Sequence, residues 1–177
     1  MNIFMVFDAI GNPSTFIDMY WNWKIPVDIE SISNNLGLSV VFDNELNSEL
    51  EAKLNIAYSK SGFKRYDLHL RPSISDAQKR YMISHVIAYI SMHHHSIHEG
   101  DANFFTIEDF SLESKSWSIR RCQQLALEYI IPKEAVDYLI LKERITDLSV
   151  LANKLGVSEN AVYERLTQLK WLTMSAA

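Results

Sequence analysis

The sequence predicts an α+β fold: a small antiparallel sheet of about three strands packed on a central helix, with a helix-turn-helix-like pair toward the C-terminal end. Three observations lead there. The segment RYMISHVIAYISMH (80–93) is apolar nearly all round between Tyr81 and Met92, which marks a buried central helix. Upstream, AKLNIAYS (52–59) and KRYDLHLRP (64–72) alternate on either side of KSG (60–62), the pattern of a β-hairpin. Downstream, DLSVLANKLGVSENAVYERLTQLKWL (147–172) has two helical apolar stripes separated at Gly156.

Taken in order, STFIDMYWNW (14–23) reads as a short aromatic-rich helix with Ser14 as its N-cap. PVDIESISNNLG (26–37) reads as a helix opened by Pro26, carrying Val27, Ile29, Ile32 and Leu36 inward and stopped at Gly37. LSVVFD (38–43) is a short buried strand. In the second hairpin arm Tyr66, Leu68 and Leu70 share one face, and Asp67, His69 and Arg71 the other. Ser75 and Gln78 have capping-box spacing at the start of the central helix. Residues 99–114 read as a polar loop, WSIRRCQQLALEYIIP (117–132) as a helix, and PKEAVDYLILKE (132–143) as another. The chain divides into an N-terminal extension (1–24), a main domain (25–140) and the C-terminal helical segment (141–177).

Composition limits the classes of function. The chain has 177 residues, of which 47% are apolar, enough for one packed domain; 5 Gly and 4 Pro argue against a fibrous or disordered chain. A net charge of −5 gives no general attraction to nucleic acid or to anionic membranes. Cys122 is the single cysteine and forms no internal disulfide. The apolar start MNIFMVFDAIGNP has no basic residue ahead of it, is interrupted by Asp8, and is too short to span a bilayer. A soluble cytoplasmic protein without membrane association is expected.

The histidines raise the question of a metal. Zinc peptidases place two histidines four residues apart on a helix, so that both reach one ion, with a glutamate beside the first as general base. Here those positions are His85, Val86 and Tyr89. Valine neither takes a proton nor polarises water, and a neutral tyrosine is a poor zinc ligand. Further on, His93, His94 and His95 are consecutive and are expected to diverge, with His98 beyond them; the run reads as an exposed, solvated helix end facing the negative pole of the dipole. Metal binding by this run stays open. No cofactor is expected.

With these residues in view, the chain resembles the ImmA/IrrE family of zinc metallopeptidases. PVDIESISNNLGLSV, QKRYMISHVIAYISMH, RCQQLALEYIIPKEAV and DLSVLANKLGVSENAVYERLTQLKWL are similar to four family segments in the same order, over about residues 25–172. The resemblance implies a zincin-like domain whose ligands are the two histidines of H-E-x-x-H and a glutamate on the later helix. His85 matches the first ligand, Val86 stands for the catalytic glutamate, Tyr89 for the second histidine, and Arg121 for the ligand glutamate. Site chemistry, not fold, decides activity, and these changes describe an inactivated site. Arg121 is expected to fill the old metal cavity, paired with an acid among Glu99, Asp101, Glu108, Asp109 and Glu113, with Tyr89 hydrogen-bonding beside it. Such a domain, emptied of metal, is expected to fold without one.

In the C-terminal pair, Gly156 supplies the turn and Ser158 caps the second helix, whose outward positions include Glu159, Asn160, Tyr163 and Glu164. Carboxylates there repel phosphates, so packing or protein docking is favoured over DNA binding. The resemblance implies a regulatory or toxin–antitoxin-like setting, in which family members act on or beside helix-turn-helix repressors of phages, mobile elements or stress operons. The expected function is therefore a pseudo-peptidase that binds a protein, a basic DNA-binding repressor or antitoxin, without cutting it. Its groove would be walled by KRYDLHLRP and HEGDANFFTIEDF, with Phe104, Phe105 and Phe110 as anchors and Asp101, Glu108 and Asp109 as the acidic rim. Two other readings stay open: a metal-dependent peptidase with a site rebuilt from His85 and His93, and a DNA-binding regulator acting through residues 147–172.

Overall fold

A computed structural model describes residues 3–46, 50–58, 64–96, 98, 102–106 and 116–172, with the side chains of 3–5, 58 and 102–106 outside the description. Two short helices come first, α1 (Ile3–Ile10) and α2 (Pro13–Tyr20). Asn12, not Ser14, caps α2: its side chain accepts from the Ser14 backbone N–H, and Pro13 takes the first helical position where a missing N–H costs nothing. The next helix, α3 (Ile29–Asn35), starts later than expected. Asp28 is its N-cap, and Pro26 lies ahead of it behind a cis peptide bond.

Four strands follow in one sheet: β1 (Leu38–Phe42), β2 (Leu50–Tyr58), β3 (Lys64–Leu70) and β4 (Ala102–Thr106), in the order β1-β3-β2-β4. The predicted hairpin is present, with Leu54 opposite Leu68 in antiparallel register. Two expectations are corrected. The sheet is mixed rather than antiparallel, since β1 runs parallel to β3 with Val40 opposite Leu68. The segment 99–114 is not simply a loop, because 102–106 pairs antiparallel with β2. Consequently KRYDLHLRP lies in the interior of the sheet, and β1 and β4 are its edges. The alternation in β3 holds as read: Tyr66, Leu68 and Leu70 are buried, while Asp67, His69 and Arg71 are half-buried.

Helix α4 (Asp76–His93) is the central element. The capping box closes its start: the Ser75 hydroxyl accepts from the Gln78 N–H, and the Gln78 side chain accepts from the Ser75 N–H. Ile83, Val86, Ile87, Ala88 and Ile90 are wholly buried. Helix α5 (Trp117–Ile130) packs along α4, and α6 (Lys133–Asp137) runs into a π-helical turn over Tyr138–Lys142. The C-terminal pair is α7 (Leu148–Leu155) and α8 (Glu159–Gln168), joined through Gly156 in the left-handed conformation and capped by Ser158, whose hydroxyl accepts from the Ala161 N–H.

One continuous core links these parts. It includes Phe7, Ile10 and Phe16 of the segment read as an extension, the inner face of the sheet, α4, α5, and Leu151, Leu155 and Val162 of the C-terminal pair. Among the described residues no helix is long and apolar enough to cross a membrane.

Candidate functional site

His85 lies at mid-length of α4 with only 2% of its surface exposed. Val86 is wholly buried, and Tyr89 is half-buried against the core. Residues four apart on a helix stack on one face, and here that face carries Tyr81, His85, Tyr89 and His93. The Tyr81 and His85 rings lie 6.1 Å apart, and those of Tyr89 and His93 4.8 Å apart. An aromatic ladder thus runs along the face on which two histidines would converge in a zinc site. Burial raises the Tyr81 hydroxyl well above the ordinary phenol range, so it stays protonated. Tyr81 was not singled out in the sequence; its spacing from His85 was the available signal.

The opposite wall is α5. The Ser84 hydroxyl donates to the Ala126 carbonyl at 2.8 Å, Cys122 Sγ meets Met92 Sδ at 3.5 Å, and the Ser118 hydroxyl lies 3.3 Å from His93 Nε2. These contacts set α5 antiparallel to α4, with Tyr89 level with the stretch from Arg121 to Leu125. Arg121, one residue before Cys122 on α5, is half-buried. Among the described residues it makes no ion pair, and its expected acid partners Glu99, Asp101, Glu108, Asp109 and Glu113 lie outside them. Beside it, burial pushes the Cys122 thiol up to about 11, which keeps it an inert thiol. Burial also lowers the pKa of His93.

This donor set does not fit Zn²⁺. It offers one imidazole from His85, a hydrocarbon at Val86, a phenol at Tyr89 and a cation at Arg121, where the ion requires several anionic or imidazole donors.

The histidine run departs from expectation. His93 is half-buried and His94 is 1% exposed; His95 and His98 alone are exposed. The helix ends at His93, and α1 lies over that end, so that Phe7 and His94 come within 6.1 Å. The turn after His93 also brings the His94 and His95 rings to 3.9 Å rather than letting them diverge. The Lys64 ammonium, itself buried, donates to the His94 carbonyl at 2.9 Å and satisfies one of the helix's last acceptors.

The C-terminal pair is tied inward by two arginines. Arg80 on α4 donates to the Gly156 carbonyl at 2.9 Å and to the Val27 carbonyl at 2.7 Å. Arg165 on α8 is buried, donating to the Ile131 carbonyl at 3.0 Å with Glu128 3.9 Å away. Desolvation lowers the pKa of both guanidiniums, with nearby carboxylates opposing it. Glu159, Asn160 and Tyr163 are exposed on α8, as read. The candidate partner residues Asp101, Glu108, Asp109 and Phe110 lie outside the described residues. Phe104 and Phe105 are placed by backbone alone, opposite Lys53 and Ala52 on edge strand β4.

A mixed sheet, a buried central helix carrying His85 and Tyr89 on one face, and a second helix packed along it define an α+β domain of metallopeptidase-like type. The sequence agrees: the model of peptidase family M78, the IrrE N-terminal-like domain, matches residues 34–167, and the chain belongs to that family. Among solved structures, a Mycobacterium tuberculosis transcriptional regulator superposes with a TM-score of 0.52 at 15% identity, over 93% of this chain and 46% of that one. The chain thus spans less than half the length of that regulator, and the likeness is one of fold. Comparison with curated proteins gives no match.

Proposed function

We propose that this chain is a catalytically inactive member of its family, a pseudo-peptidase that works by binding a protein. The observation that carries the reading is the buried face of α4. His85 retains its place, while a wholly buried Val86 occupies the general-base position and the Tyr89 ring packs at a tilt against His93 where a second ligand would stand. Arg121, matched to the ligand-glutamate position and half-buried on α5, supports a site held by charge and packing rather than by an ion.

The partner surface best supported is the sheet edge at β4. An edge strand presents unpaired backbone donors and acceptors to which an extended peptide adds as a further strand. The acidic residues flanking β4 in sequence (Glu99, Asp101, Glu108 and Asp109) favour a basic partner such as a DNA-binding repressor or antitoxin. DNA binding by the chain itself is disfavoured. Arg165 points inward, and the exposed start of α8 carries Glu159.

Co-expression with the product of the adjacent gene tests the proposal. The two proteins are expected to co-elute, the partner to remain intact with added zinc, and Phe104→Ala with Phe105→Ala to weaken capture in a folded variant. Cleavage of the partner that disappears in His85→Ala would overturn the proposal in favour of a rebuilt peptidase.

A further inference from the structure

At the far end of α4, nine residues and about 13 Å along the axis from His85, three donor atoms converge. Asp8 on α1 places Oδ1 3.1 Å from His94 Nε2 and 3.0 Å from His95 Nε2. One ligand atom from each residue lies within 4.8 Å of the others. We propose that Asp8, His94 and His95 form a zinc site that clamps α1 onto the C-terminal end of α4, independent of the relic peptidase face.

The donor chemistry is right for a borderline divalent ion: two imidazoles and one carboxylate. The spacing is right too. Ligands about 2.0–2.2 Å from a zinc ion stand about 3.0–3.4 Å apart when they subtend octahedral to tetrahedral angles, and both Asp8–histidine separations fall there. The site joins α1 to the C-terminal cap of α4. His94 is 2% exposed at its side chain, wedged near Phe7, with its carbonyl held by Lys64. The Asp8 and His95 side chains are 55% and 74% exposed, which leaves an entry path and an open face for water ligands. Without an ion, the Asp8 carboxylate oxygen lies within hydrogen-bond distance of both imidazoles, so the ligands are gathered before the ion arrives. The ion's role is structural: it joins residues 86 and 87 positions apart.

The experiment uses untagged full-length protein stripped with chelator and titrated with zinc chloride by calorimetry, with metal content and melting temperature read in parallel. One equivalent should bind at micromolar or lower concentration and raise the melting temperature. Asp8→Asn and His95→Ala, both at exposed positions, should each weaken binding at least tenfold and remove the thermal shift. His98→Ala and His85→Ala should bind as the parent does. Absence of binding by the parent overturns the proposal. So does unchanged binding by Asp8→Asn, which would mean that the histidine run alone holds the ion adventitiously, and so does loss of the ion in His85→Ala, which would place it on the relic face.

Discussion

Val86 has no exposed surface and belongs to the same core as the sheet and α5. A glutamate placed there would bury a carboxylate among apolar core side chains. Val86→Glu alone is therefore expected to lower stability by about 3 kcal/mol or more, read as a shifted urea midpoint with unchanged slope. Restoring the whole set tests the alignment of α4 with α5. The variant Val86→Glu, Tyr89→His and Arg121→Glu should bind a zinc ion that Asp8→Asn does not remove. If no such ion binds, Arg121 is not where the ligand glutamate would stand, or the cavity has closed. At this scale the shared face of His85 and Tyr89 was legible, because helical spacing alone puts residues four apart on one side. The sequence did not expose the fate of His94. Burial there comes from α1, which is about 85 residues distant in sequence, and no local pattern reports that contact.

Gly156 ties a single turn to the placement of a whole element. Its φ of +65° lies in the left-handed region, and a Cβ there would sit 3.0 Å from Arg80 Nε and 3.4 Å from the Pro26 side chain. The turn is pressed against α4 rather than held out for a groove. Gly156→Ala should therefore cost roughly 1–2 kcal/mol from the backbone conformation, and it should also loosen the Arg80 hydrogen bonds, visible as faster amide exchange in α7. The caps of α3 and α7 act at low pH. Asp28 accepts from the Ser31 hydroxyl at 2.7 Å and the Ser31 N–H at 3.1 Å, and these bonds hold its carboxyl below the ordinary range. Asp147 is lowered likewise by Ser149 and Val150. A depressed carboxyl contributes stability above its unfolded pKa of about 3.9 and loses it as pH falls through the lower folded value. Melting temperature should thus decline below about pH 4, and Asp28→Asn should flatten that decline. Elements whose signals are local, such as the capping box at Ser75 and the hairpin, were legible beforehand. The parallel pairing of β1 with β3 was not, since an apolar run such as LSVVF names a strand but neither its partner nor its direction. Strand β4 was hidden by the polar composition around it.

The N-terminal helices close the core of the whole molecule. Phe16 stacks on Tyr129 of α5 with ring centroids 4.0 Å apart, and the Tyr129 hydroxyl donates to the Ile10 carbonyl at 2.6 Å. Burial pushes that hydroxyl up to about 12, so it remains a donor throughout the range in which the protein is handled. Phe7 meets the Tyr66 ring edge-on at 5.6 Å, which carries the same packing across to β3. Each of Phe7, Ile10 and Phe16 is at most 1% exposed. A chain beginning at residue 25 would uncover the Tyr129 ring and leave its hydroxyl without the Ile10 acceptor. Losing one large buried side chain costs about 2–5 kcal/mol, and a domain is stable by only about 5–15 kcal/mol in total, so losing three together is comparable with the whole stability. Deletion of residues 1–24 is therefore expected to give a protein that keeps helical far-ultraviolet dichroism but loses near-ultraviolet dichroism and cooperative melting, and that binds a hydrophobic dye. A sharply melting, well-packed 25–177 chain would mean that α1 and α2 are an accessory to a domain complete without them. The Asp8 clamp to His94 and His95 would then secure only an appendage.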